Sequence, residues 1–494
     1  MINKISTNKT VGYMFCAFMM FVFIQCASPA QRAQKGVEAF KKGDFSTAFK
    51  VLEPLAQQGE STAQFYLSTM HFSGVGVNQD QNVALDWLNK SAAQGNSDAL
   101  LNLSGFYQKG TLVEKDPVKA KSLIEQAVKA GNPNAQILMG LMYFQGDQVE
   151  KDVSTALTLF QSAADQGNAK AEFNMGVVYE NGINGSVNMQ EAIRWYEKAS
   201  AHGLVLAKQR LSNIYLQGTG VAKDVAKAAV LFEELAQKDD VNAMYTLAMV
   251  YFTDATLKVE PQKGVDWLLK AAAKKFMPAQ KKLGQIYEQG LYGLKINVPE
   301  AIKWYLEAMQ MGDMFSTGKV GMALINGVGI AKNEKQGLIY LSTAAEKGDA
   351  DALYDMAKFY EMGRYVNAKD DSKAFALYAQ AAQKGHMLSE FNLGLCYSSG
   401  KGTEQNITEG LKWIFAAAQQ GMPQAQYLMG MSFLKGVGVE QSNLQAANWF
   451  VKAGENGHRP SMEIMGHAYE KGEMGMAKNA QLALYWFNKF NQSK

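Results

Sequence analysis

A glycine returns every 36 residues through most of this 494-residue chain, and no other feature constrains the fold as strongly. The series runs to Gly457, with two one-residue shifts and with Asp239 and Lys275 in place of glycine. A second series has the same period and is displaced within each repeat. A fixed period of this length predicts stacked repeats rather than several globular domains. The first series begins Gly59, Gly95, Gly131, Gly167, Gly203, and the second Gly74, Gly110, Gly146, Gly182, Gly218.

Each repeat is predicted to contain two helices, A and B, because each glycine series stands where an apolar periodic segment stops. Glycine enters the left-handed conformation that closes a helix without steric cost. The second series would close helix A, and the first would close helix B. Residues that can cap free backbone N–H groups precede helix B, and Pro117 and Pro261 fall in its first turn, where proline is tolerated. The predicted caps are Asp80, Asp116, Asp152, Asn188, Asp224, Asn333 and Asn406.

Three positions of the repeat carry a restricted set of side chains. Two positions of helix A hold only Ala, Ser or Gly, which predicts close contacts between helices because a larger side chain would force the helices apart. We call the first of these, represented by Ala63 and Ala99, the small site; the second is represented by Gly140 and Gly176. All tryptophans, from Trp87 to Trp486, share one position of helix B, where Leu and Tyr replace them in other repeats. Such exchange predicts a buried position that is filled for volume.

This pattern resembles the Sel1-like repeat, a relative of the tetratricopeptide repeat. The residues that carry the resemblance are seen well in Ala425, Leu428, Gly430, Phe433, Gly436, Gly438, Trp449, Lys452, Ala453 and Gly457. The resemblance implies an all-α protein, an α/α superhelical solenoid of helix pairs that acts as a scaffold, adaptor or assembly factor. The predicted organisation is a leader over residues 1–30, an N-terminal capping helix pair over 31–59, and a solenoid of about twelve helix pairs over 60–494.

The first thirty residues have the pattern of an export signal. Lys4 and Lys9 precede an apolar run from Val11 to Ile24, and small residues follow it. Cys26 stands where a bacterial lipoprotein carries its acylated cysteine, although the residues before it depart from the usual motif. Lipidation of Cys26, cleavage near Ala27 or Ala30, and a retained anchor all remain open. The expected location is exported: periplasmic, anchored at the outer membrane, or secreted.

The sequence contains few residues arranged to carry catalysis or to bind a metal, a cofactor or nucleic acid. The net charge is only +3, which argues against nucleic acid as a partner, and the five histidines are scattered, so neither a metal site nor a cofactor is expected. Ser316 and Lys319 match the Ser-x-x-Lys spacing of penicillin-recognising enzymes, so a β-lactam-binding or β-lactamase-like protein is the alternative function. Ser316 also falls on the small site of its repeat, which favours a structural role.

Binding of other proteins is therefore the predicted function, in the bacterial envelope or outside the cell, and no enzyme activity is expected. The resemblance to exported bacterial members also implies a role in contact with a host. Specificity should reside on helix-A residues outside the repeat signature. The last helix adds an apolar surface formed by Leu484, Phe487 and Phe490, which predicts docking of a partner or self-association. Membrane contact is expected only through the leader or its lipid. The helix-A candidates are Gln64, Tyr66, Gln136, Glu172, Lys208, Tyr354 and Asn392.

Overall fold

The structure, a computed structural model, describes residues 28–183 and 185–493. These residues form 26 α-helices, one short 3₁₀-helix at Ala255–Leu257, and no strand. The chain divides into two compact units between Leu235 and Ala236, so the helix Val225–Ala236 belongs to the first unit except for its last residue.

The first unit contains α1 (Pro29–Lys41), α2 (Phe45–Gln57), α3 (Ser61–Ser73), α4 (Gln81–Ala93), α5 (Ser97–Lys109), α6 (Pro117–Lys129), α7 (Pro133–Gln145), α8 (Val153–Asp165), α9 (Ala169–Asn181), α10 (Met189–Ala201), α11 (Val205–Gln217) and α12 (Val225–Ala236). The second contains α13 (Val241–Thr253), α14 (Pro261–Ala273), α15 (Met277–Gln289), α16 (Val298–Gln310), α17 (Met314–Asn326), α18 (Glu334–Glu346), α19 (Ala350–Met362), α20 (Asp371–Ala382), α21 (Met387–Ser399), α22 (Ile407–Gln419), α23 (Pro423–Lys435), α24 (Asn443–Glu455), α25 (Arg459–Lys471) and α26 (Ala480–Gln492). From α3 onward, odd numbers are A helices and even numbers are B helices.

The N-terminal pair begins slightly before its predicted boundary. Helix α1 starts at Pro29, two residues ahead of residue 31, because Ser28 forms a capping box with Gln31. Leu52 of α2 packs in one apolar cluster with Val37 of α1 and Leu67 of α3. The predicted leader up to residue 27, with Cys26, lies outside the described residues. Within the described part of the chain, no helix is long and apolar enough to cross a bilayer.

The helices begin and end where the capping residues and the glycine series predict. All seven predicted caps of helix B accept backbone N–H groups of the first turn; Asp116, for example, accepts from Lys119 N at 2.9 Å. The two non-glycine members of the first series, Asp239 and Lys275, are also left-handed, with φ of 70° and 61°. Asp254, in the second series, is extended instead, and the 3₁₀-helix follows it. The backbone geometry of the repeat thus persists at Asp239 and Lys275 despite the steric cost of a side chain there.

The second small position of helix A is where helix B of the same repeat packs. A Cβ added to Gly176 would lie 2.4 Å from the ring of Tyr196, and one added to Gly284 would lie equally close to the ring of Tyr305. These distances are far below van der Waals contact, so the glycine and the aromatic ring are complementary. The prediction that this position is a contact between helices is therefore confirmed.

The tryptophan position is less buried than predicted. Trp449 and Trp486 are buried, whereas the other five tryptophans keep part of their surface in solvent. A lysine three residues later covers several of these rings, as Lys270 does over Trp267 at 4.0 Å from the centroid. The aliphatic part of the lysine side chain can shield the ring while its ammonium group stays hydrated. Consecutive helices pack against one another within each unit, and apolar clusters join neighbouring helix pairs, so the predicted α/α solenoid class is confirmed.

Candidate partner-binding site

Three of the residues predicted to form the binding surface turn inward instead. Gln64, Gln136 and Glu172 are buried. Each contacts the residue thirty positions later, which follows the last turn of helix B in the same repeat: Gln94 at 2.7 Å, Gln166 at 3.0 Å and His202 at 2.8 Å. The same pairing occurs between Glu390 and Gln420 and between Gln426 and Asn456. These residues satisfy one another's polar groups inside the repeat, so they are structural. Their thirty-residue spacing is a signal that was present in the sequence.

The other four candidates are half-buried and already have contacts. Lys208 forms an ion pair with Glu234, and the Asn392 amide donates to the carbonyl oxygen of Leu388 at 2.9 Å. The aromatic candidates stack inside their own surroundings, Tyr66 against Phe40 and Tyr354 against Tyr378 and His386.

A recurring cluster of glutamate, tyrosine and a cation links helix A to helix B. The Tyr196, Tyr305 and Tyr378 hydroxyls donate to Glu180, Glu288 and Glu361 at 2.6, 2.7 and 2.9 Å. A basic residue of the following repeat binds each glutamate: Arg210, Lys319 and Lys401, respectively. Burial and the neighbouring glutamate raise the pKa of each tyrosine, so the hydroxyl keeps its proton. These clusters hold consecutive repeats together by charge-assisted hydrogen bonds.

A cavity of about 320 Å³ opens beside the second of these clusters, in the second unit. Residues of three consecutive A helices, α15, α17 and α19, surround it together with residues of α16. Phe315, Tyr305 and Met322 supply apolar walls, and Glu288, Lys319, Asp351 and Asp355 supply charge. The volume lies at the lower end of the range of ligand pockets, about 300–1,000 Å³. We call this space the α17 cavity.

Asp355 is the most unusual group at the α17 cavity. It makes no hydrogen bond or ion pair with any other described residue, although it is partly buried. Burial, reinforced by the charges of Asp351 and Asp349, raises its pKa to about 6 even though Lys319 acts in the opposite direction. A carboxylate held in this way has unused capacity to accept hydrogen bonds. Nothing in the repeat signature marks this position, and the sequence alone did not single it out.

The Ser316–Lys319 motif borders the α17 cavity but does not form a catalytic pair. Ser316 is fully buried, and its hydroxyl donates to Asp313 Oδ2 at 2.6 Å. The ammonium group of Lys319 binds Glu288 at 3.2 Å. A nucleophilic serine needs a base within hydrogen-bond reach and access to substrate. This geometry gives Ser316 a structural role at the start of α17 and does not support the β-lactam alternative.

The carboxylates of the α17 cavity do not converge on a metal position. No group of three His, Cys, Asp or Glu residues in the described chain has an arrangement that could hold a metal ion.

The apolar residues predicted on the last helix divide into two kinds. Phe487 packs against Gly466 and His467, and Phe490 lies under Arg459, so both belong to the last repeat. Leu484 is 60% exposed, and Tyr485 beside it is also exposed. Self-association through this helix stays a prediction, and its test is Leu484→Ser rather than a change at either phenylalanine. Light scattering that gives the same mass for the Leu484→Ser variant and the parent would contradict it.

The geometry defines a class: a helix-pair solenoid with buried polar pairs inside repeats and a mixed apolar and charged cavity on its A helices. The chain belongs to the Sel1 repeat family, whose model matches twelve consecutive segments between residues 61 and 490. This confirms the resemblance drawn from the sequence. The family is generally a non-catalytic interaction fold, so the coarse function is protein binding.

One similar solved structure covers most of the chain. The crystal structure of c5321, a protective antigen present in uropathogenic Escherichia coli strains and displaying an SLR fold, has 27% sequence identity and a TM-score of 0.67. The match covers 90% of this chain and 94% of that one.

Curated relatives match over shorter stretches. A chitin synthase regulator, SKT5, of Saccharomyces cerevisiae is 29% identical over 35% of this chain and 26% of its own length. Chitin synthase regulatory factor 3 of Schizosaccharomyces pombe is 34% identical over 30% of this chain and 16% of its own length. The chain thus matches about a quarter or less of these two proteins.

Proposed function

We propose that this protein is a non-catalytic scaffold that binds a polypeptide segment of a partner across α15, α17 and α19. The observation that carries the proposal is the α17 cavity, which has apolar walls and a carboxylate without a partner on three consecutive A helices. Binding sites are typically concave, mostly apolar and equipped with a few polar groups that set orientation. The fungal relatives are named as regulators of an enzyme, which agrees with a role in binding rather than in catalysis.

The same proposal places the protein outside the bacterial cytoplasm, at the envelope or secreted. The support is the charged and apolar pattern of residues 1–30 and the likeness to an Escherichia coli protective antigen. Cell fractionation tests the proposed cellular location. Incorporation of a labelled fatty acid, compared between the parent and Cys26→Ala, separates lipidation from simple cleavage. Recovery of the full-length chain in the cytoplasm would contradict an exported location.

Site-directed photocrosslinking tests the binding surface. A photoreactive amino acid at Asn326, which is exposed and borders the α17 cavity, should capture a polypeptide from envelope extracts. The same amino acid at Ile339, which is exposed on α18 of the same repeat, is the matched control. Capture at Asn326 that is absent at Ile339, and that is lost when Gly318→Phe fills the cavity, supports the proposal. Equal capture at both positions, or no capture at Asn326, would overturn it.

A further inference from the structure

The α17 cavity exists because one repeat lacks a side chain that every other repeat has. Gly318 lies two residues after the small site of its repeat. A Cβ added to Gly318 would make only ordinary contacts, at 3.4 Å from Ala352 Cβ and 3.6 Å from Asp349 Oδ1. The corresponding residues of the other repeats are all larger: Phe65, Leu101, Ile137, Phe173, Gln209, Tyr245, Lys281, Tyr354, Phe391, Tyr427 and Glu463.

The ring of Tyr427 shows what normally occupies this space. It packs against Phe450 of its own repeat and against His458, which caps the next A helix, with centroid distances of 5.8 and 4.6 Å. The equivalent capping residue beside Gly318 is Asp349. The fold therefore leaves room for a side chain from another molecule at a position that its own side chains fill elsewhere.

The charges around this space favour a cation. Five carboxylates, those of Glu288, Asp313, Asp349, Asp351 and Asp355, lie near two lysines. Both lysines are already paired, Lys281 with Asp313 at 3.3 Å and Lys319 with Glu288 at 3.2 Å.

The remaining three carboxylates have no basic partner that is charged at neutral pH. Asp351 lies 3.5 Å from Nε2 of His386, but burial lowers the pKa of that imidazole, so it is neutral. Asp349 accepts the backbone N–H of Ala352 at 2.9 Å, and Asp355 has no hydrogen-bond partner among the described residues. Asp349 and Asp355 are partly buried, and burial raises the pKa of both although Lys281 and Lys319 act in the opposite direction. A further cation beside them would favour their ionised forms.

The walls suit the stem of a long basic side chain. Two ammonium groups already lie over the ring of Phe315: Nζ of Lys281 is 4.4 Å from the ring centroid, and Nζ of Lys319 is 5.4 Å from it. Met322 and Ala323 extend the apolar surface. Lys and Arg bury their methylene groups on such surfaces while the charged end seeks a carboxylate.

We propose that the α17 cavity binds an arginine or lysine side chain of a partner polypeptide, with its cation paired to Asp355 and Asp351 and its stem against Phe315 and Met322. The inference rests on the proposed function, since it names the chemistry of the partner at the same site. Gly318 is the residue that admits the side chain, and Asp355 is the residue that selects its charge.

Calorimetric titration of the purified protein with nonapeptides tests the proposal. The peptides differ only at the central residue, which is Arg, Lys, citrulline or norleucine. The Arg and Lys peptides should bind at least about tenfold more tightly than the two neutral ones, because a charge-assisted hydrogen bond to a carboxylate is lost in the latter. Equal affinity for the Arg and citrulline peptides, or no measurable binding of the Arg peptide, would overturn the proposal.

Matched variants assign the effect to the cavity. Asp355→Asn and Gly318→Phe should each abolish the preference for Arg, whereas Glu346→Gln, which changes an exposed carboxylate at the end of α18, should retain it. A preference that survives in both Asp355→Asn and Gly318→Phe contradicts the assignment. Failure of the proposed function appears separately, as the absence of any crosslinked partner at Asn326. A captured partner whose crosslinking is unchanged by Asp355→Asn leaves the scaffold function standing and removes this inference.

Discussion

Asp355 should weaken the native state at neutral pH, and its replacement by asparagine should stabilise the protein. Its pKa is about 6 in the folded protein, against an ordinary value of 3.8. The difference of about two pKa units corresponds to about 3 kcal/mol at pH 7, and this is an upper bound because the side chain retains some solvent. Asparagine has nearly the same shape without the charge, so Asp355→Asn should add on the order of 1–3 kcal/mol.

The pH dependence gives the sign of the effect. A folded-state pKa above the unfolded-state value means that the protonated carboxyl contributes stability below pH 3.8, and that this contribution is lost as the pH rises through about 6. The advantage of Asp355→Asn should therefore be greatest at pH 7 and shrink progressively between pH 6 and pH 4. Urea unfolding at pH 7, 6, 5 and 4, followed by tryptophan fluorescence, measures it.

Glu346→Gln is the matched control for this experiment, since the exposed carboxylate should change stability by less than about 0.5 kcal/mol. An asparagine variant that is less stable than the parent at pH 7, or an advantage that does not vary with pH, would refute the reasoning. A more stable variant that no longer prefers basic peptides would show that Asp355 is retained for binding at the expense of stability.

Three further experiments test what stabilises the repeats. Gly318→Ala should stabilise the protein by about 0.5–1 kcal/mol, because alanine favours the helix and its Cβ would make only ordinary van der Waals contacts. Gly284→Ala should instead destabilise it by about 1–3 kcal/mol, because its Cβ would strike the ring of Tyr305; thermal unfolding compares the two variants. Lys275→Gly should stabilise the protein by about 1 kcal/mol, because the backbone of Lys275 is left-handed. Lys274→Gly is the control and should not stabilise it, because φ of Lys274 is −85°. Denaturant midpoints that shift equally in the two variants would contradict this prediction. Glu361→Gln should lower stability at pH 7. Burial alone would raise the pKa of Glu361, but hydrogen bonds from neighbouring lysines and a tyrosine outweigh burial and hold the pKa at about 2. The stability that the Glu361 carboxylate contributes is therefore present above pH 4.5 and is lost as the pH falls toward 2. Acid titrations of parent and variant that coincide between pH 7 and pH 2 would exclude that role.

Sequence reasoning placed the helix ends and the close contacts correctly because both depend on short-range rules. A capping side chain such as Asp116 bonds to an N–H three residues away, and a left-handed glycine acts on its own backbone. The contact between Gly176 and Tyr196 was predictable in kind, since a position that stays small in every repeat must face another helix. The inward orientation of Gln64 and Glu172 could not be predicted in the same way, because each side chain contacts a residue thirty positions later, at the end of the other helix of the pair.

The amino-acid sequence by itself determined a stack of Sel1-type helix pairs, their caps and their small contact sites, since a repeated local pattern forces a repeated local structure. Only the tertiary structure decided that Ser316 is buried, that Phe487 and Phe490 pack inside the last repeat while Leu484 is exposed, and that the space beside Gly318 faces Asp355. The physical reason is that a cavity is formed by side chains of several repeats at once. Its shape and charge depend on residues far apart in the chain, which come together only when the repeats stack.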